Sequence, residues 1–62
     1  MNVKELSDLI VDYRSSQTPM MTQKKFSELV GISEVSIWKI ENELVTPRKT
    51  TARKIEKFIK GV

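Results

Sequence analysis

Apolar residues recur at helical spacing in four stretches of this chain, each closed by a break. Val3, Leu6, Ile10 and Tyr13 form the first stripe. Asn2 stands at the position of an N-cap with Glu5 three residues on, close to a capping box, so a helix is expected from there to about Arg14. Residues 15–20, SSQTPM, have loop composition, and Pro19 disfavours helix at Thr18. The second stripe is Phe26, Leu29 and Val30, capped by the hydroxyl of Thr22 and stapled by Met21 onto Phe26. Gly31 follows where a positive φ lets the chain reverse at once. Ser33 then caps a third helix on which Ile37, Ile40 and Leu44 mark the buried direction, with Ile32 stapled onto Ile37. The last helix begins between Pro47 and Thr51, with Thr46 or Thr50 as its cap, carries Ala52, Ile55, Ile59 and Val62 on one side, and ends at Gly61. The pattern predicts an all-α fold, a small bundle of about four helices in which residues 1–62 form one domain. Ala52, Ile55 and Ile59 are expected to close a core against Leu6, Ile10, Phe26, Leu29 and Ile37; Phe58 widens the stripe, so that it either closes the core as well or is left, with Val62, as an interface.

The middle pair, a capped helix, a glycine turn and a second capped helix, has the logic of a helix-turn-helix. The residues TQ..F..LVGIS..SI.KIEN, followed by Pro47, resemble the Cro/CI-type family of phage and bacterial regulators, also called Xre-like, whose fold is lambda-repressor-like. The matching positions are Thr22, Gln23, Gly31, Ser33, Ile40, Glu41 and Asn42. The resemblance implies a Cro- or repressor-like transcriptional regulator, of phage or mobile-element type, that binds double-stranded DNA with the helix from Glu34 to Asn42 in the major groove. Carried over by position, the base contacts are Glu34, Val35, Ser36 and Lys39. Each side chain has a chemistry that suits a base edge. Lys39 donates to guanine O6/N7, Glu34 accepts from cytosine N4, Val35 packs on a thymine methyl, and Ser36 donates or accepts. Phosphate contacts are assigned to Thr22, Gln23, Lys24, Ser33, Asn42, Arg48 and Lys49. Lys24 and Lys25 oppose the dipole of the helix they open, a cost that a phosphate bound at that N-terminus would reverse. Arg14 and Glu41 are implied to pair, fixing the first helix against the third.

Several features depart from the family pattern. The connection after the first helix is longer by about two residues, and Glu34 and Val35 stand where Gln or Arg are common. A carboxylate near phosphates is repelled, so Glu34 either accepts from a base or serves only to exclude wrong sequences. The family's further helix, which often supplies the dimer surface, has no counterpart here, so the fold is expected to be truncated at its C-terminus and the chain to be a monomer or a weak, DNA-assisted dimer. Trp38 fits two descriptions: partial burial against the loop from Glu43 to Thr46, or contact with a phosphate or a partner.

Composition narrows the functional classes. With 62 residues, the core alone stabilises the fold only marginally. The chain has no Cys and no His, which removes disulfides, Cys/His zinc sites and most catalytic constellations. No Gly-rich phosphate loop is present either, so an enzyme is not expected, nor a cofactor or metal. No apolar run approaches a membrane span and the N-terminus lacks a basic signal region, which suits a cytoplasmic, nucleoid-associated protein. The net charge of +3 is unevenly placed: residues 46–62 carry six basic groups against Glu56 alone. That concentration points to a polyanion at this end, or to a solvated helix face. A second reading, from another class, is a small protein-binding module, an antirepressor or antitoxin, that binds another regulator through Phe58, Val62 or Trp38. A basic amphipathic last helix also suits a membrane surface, a reading the intact helix-turn-helix opposes.

Overall fold

Each of the four stripes becomes one α-helix in the computed structural model, which describes residues 2–61: α1 (Val3–Ser15), α2 (Gln23–Val30), α3 (Glu34–Glu41) and α4 (Lys49–Lys60). Three of the helices start on a side-chain cap. Asn2 Oδ1 accepts from the Glu5 N–H at 2.8 Å, Thr22 Oγ1 from Lys25 at 3.0 Å, and Ser33 Oγ from Ser36 at 3.1 Å. Each bond satisfies one of the backbone donors that a helix start leaves open. The start of α4 differs from expectation, because neither Thr46 nor Thr50 caps it. Arg48 holds the N-cap position in an extended conformation with no side-chain bond, and Thr50 already lies inside the helix. Gly31 ends α2 with φ 77°, where its N–H and that of Ile32 both return to the Ser27 carbonyl.

Helix α3 packs against α1 and α2, and α4 packs against the same two helices. Leu6, Ile10, Phe26, Ile37, Ile40 and Ile55 fill the space between them, none more than 1% exposed. Phe58 is half-buried and packs against the core, the first of the two roles expected for it. Its ring stands 5.5 Å from Tyr13 and 5.7 Å from Phe26, edge-on to both, and Tyr13 and Phe26 are themselves 5.9 Å apart. Edge-to-face geometry adds to the burial of each ring. Val62, the other expected interface residue, lies outside the described residues.

Leu29 and Leu44, expected in the core, are instead 47% and 60% exposed. In α2 the buried arc runs through Phe26, Ser27 and Val30, so it is rotated away from Leu29. Ser27 is small enough to let the helix approach closely, and its hydroxyl donates to the Lys24 carbonyl at 2.7 Å, so its burial leaves no orphan group. For Leu44 the cause is the end of α3. Glu43 takes φ 57°, the Leu44 N–H returns to the Lys39 carbonyl at 2.9 Å, and the side chain swings off the helical line it would have continued.

Candidate nucleic-acid interface

Two fully buried residues, Ile37 and Ile40, fix which side of α3 faces inward. A polar network then fixes its C-terminal end. The carboxylate of Glu41 receives Arg14 Nη1 at 2.7 Å on both oxygens and Gln23 Nε2 at 3.0 Å on one. Arg14 Nε donates in turn to the Met21 carbonyl at 2.9 Å, and the Ser7 hydroxyl donates to the Glu41 carbonyl at 2.9 Å. The side chains of Arg14 and Glu41 are only 11% and 8% exposed, yet every buried side-chain polar atom among the described residues has a partner. One carboxylate therefore ties α1, the loop before α2, the first residue of α2 and the end of α3 together. Gln23 and Ser7 are members that sequence reasoning missed. A glutamine at a helix start and a serine within an apolar stripe carry no signal of a partner so far along the chain.

With the inner side pinned, Glu34, Val35, Trp38, Lys39 and Asn42 are left exposed, and Ser36 is half-buried. Glu34, the only acidic residue in the first turn of α3, sits at its positive end. Ser33 donates its hydroxyl to Ser36 Oγ at 2.8 Å while accepting from the Ser36 N–H. The two hydroxyls thus share one hydrogen bond within the cap. Asn42 Nδ2 donates to the Trp38 carbonyl at 2.9 Å and closes the last turn. Trp38 is 47% exposed and takes no part in the core; with Glu34 and Val35 it lines a recess on the helix itself.

The start of α2 and the start of α4 both border α3. At the first, Thr22 caps, Gln23 is half-buried against Glu41, and Lys24 and Lys25 are exposed with no acidic residue in that turn. At the second, Arg48 shares a groove of about 380 Å³ with Ser36, Lys39 and Thr51, and Lys49 is exposed beside it. Each helix start offers backbone N–H groups with basic side chains close by, the arrangement that receives a phosphate. Among the described residues no group of acidic side chains could hold a metal ion, and no helix is long and apolar enough to cross a membrane.

No curated protein and no solved structure matches the chain significantly. The sequence model of a family described as helix-turn-helix matches residues 19–62, which takes in α2, the turn, α3 and α4. By that match the chain belongs to the helix-turn-helix family of Cro/CI, Xre-like type, a family of DNA-binding regulatory domains.

Proposed function

We propose that this chain is a sequence-specific, repressor-like transcriptional regulator that binds double-stranded DNA in the cytoplasm by laying α3 in the major groove. The observation that carries this reading is the outward face of α3, held by a buried ion pair behind it and bordered by two basic helix starts. Base edges are met by Glu34, Val35, Ser36 and Lys39, with Lys39 donating to guanine and Glu34 accepting from a cytosine amino group. Thr22, Gln23, Lys24, Asn42, Arg48 and Lys49 meet phosphates, which sets register and supplies affinity without sequence information. Ser33 caps α3 and stands with them among the phosphate contacts.

Two copies on a palindromic site would lie about 34 Å apart, one helical turn. Selection of bound duplexes from a random pool, followed by titration of the selected site at several salt concentrations, tests the reading. A defined site with a steep salt dependence supports it. Failure to bind any duplex, together with binding to another regulator, would replace it by the protein-binding module.

A further inference from the structure

The exposed side of α3 holds a feature that no single base contact accounts for. Glu34, Val35 and Trp38 line a shallow recess of about 230 Å³. Their spacing makes them neighbours, because residues three and four apart share a strip of helix surface. Val35 is 63% exposed and Trp38 47%, while the isoleucines of the same helix are fully buried. Two large apolar side chains are thus held away from a small core, on the exposed side of the helix that meets base edges in this class of domain.

The chemistry of the recess selects its occupant. In the major groove an apolar hollow can take the methyl group on C5 of a pyrimidine. Thymine presents that methyl beside the O4 acceptor, whereas a cytosine methylated at C5 presents it beside the N4 amino donor. The ionised carboxylate of Glu34 only accepts hydrogen bonds, so it pairs with the amino group and repels O4. We propose that Glu34, Val35 and Trp38 together form a recess for 5-methylcytosine, so that cytosine methylation strengthens DNA binding by this chain. The proposal rests on α3 reading the major groove. Burying one methyl group corresponds to about a fourfold gain in affinity, and facing the carboxylate with the wrong base to about a tenfold loss.

The test uses the duplex obtained by selection, with cytosine, 5-methylcytosine, thymine and uracil placed in turn at each pyrimidine position. At one position 5-methylcytosine binds about fourfold tighter than cytosine, and thymine weaker than either. Val35→Ala and Trp38→Ala bring the ratio of methylated to unmethylated affinity towards one, and Glu34→Gln, whose amide can donate, narrows the discrimination against thymine. All three side chains are exposed, so melting curves close to the parent's show that the variants fold. A parent that binds DNA with equal affinity for cytosine and 5-methylcytosine at every position, or that prefers thymine, overturns the proposal and leaves the functional reading standing. A parent with no salt-dependent affinity for any duplex overturns the functional reading itself.

Discussion

Removing the Glu41 carboxylate leaves a nearly buried guanidinium without its counter-charge. In Glu41→Ala, Arg14 Nη1 loses both of its 2.7 Å acceptors and Gln23 Nε2 loses its 3.0 Å acceptor, while Arg14 Nε keeps the Met21 carbonyl. An exposed pair would contribute less than about 1 kcal/mol. Here the side chains are 11% and 8% exposed, so what remains is a guanidinium buried without its counter-charge. The cost of breaking such a pair from one side is about 3 kcal/mol. A domain of this length has a total stability of about 3–9 kcal/mol. The variant is therefore expected to melt more than about 10 °C below the parent, or not to fold at all. The paired replacement separates an unpaired charge from a general intolerance of change at this site. Arg14→Met combined with Glu41→Leu removes both charges, and a buried pair replaced by apolar groups is often neutral or stabilising. The double variant is thus expected to lose less than Glu41→Ala alone. Thermal and urea denaturation without DNA measure both. A Glu41→Ala melt that coincides with the parent's, or a double variant that falls below the single one, would refute the reasoning.

Three further outcomes follow from the same geometry. Glu43 sits at φ 57° just past the C-terminus of α3, where a side chain is strained and a negative charge meets the negative end of the helix; Glu43→Gly is expected to gain about 1 kcal/mol, read as a rise in melting temperature, and a fall would show the turn is unstrained. Phe58→Ala opens the aromatic cluster with Tyr13 and Phe26 and should cost about 3 kcal/mol in urea denaturation, whereas Leu29→Ala, at a side chain 47% exposed, should cost less than about 1; equal costs would contradict the packing. Replacing Arg48 and Lys49 together by Ala should weaken all duplexes alike and lower the slope of log affinity against log salt by about two, and an unchanged slope would remove them from the phosphate contacts.

Local rules were enough to read the helices, because caps, turn residues and apolar spacing act within a few positions of one another. Asn2, Thr22 and Ser33 cap as their types suggest, and Gly31 takes the left-handed conformation that a β-carbon disfavours. The family was legible for the same reason, since its marker residues sit at fixed offsets along α2 and α3. Where a helix turns its apolar arc, and by how much, is decided by what fits against its neighbours. Ser27 let α2 rotate so that Leu29 faces out, and the left-handed Glu43 took Leu44 off the line of α3. Phe58 stayed open between core and interface because a stripe on one helix does not show the rings of Tyr13 and Phe26 waiting on two others. Gln23 reaches Glu41 across 18 positions of sequence, and Ser7 reaches it across 34, distances over which only the packed helices bring a donor to its acceptor.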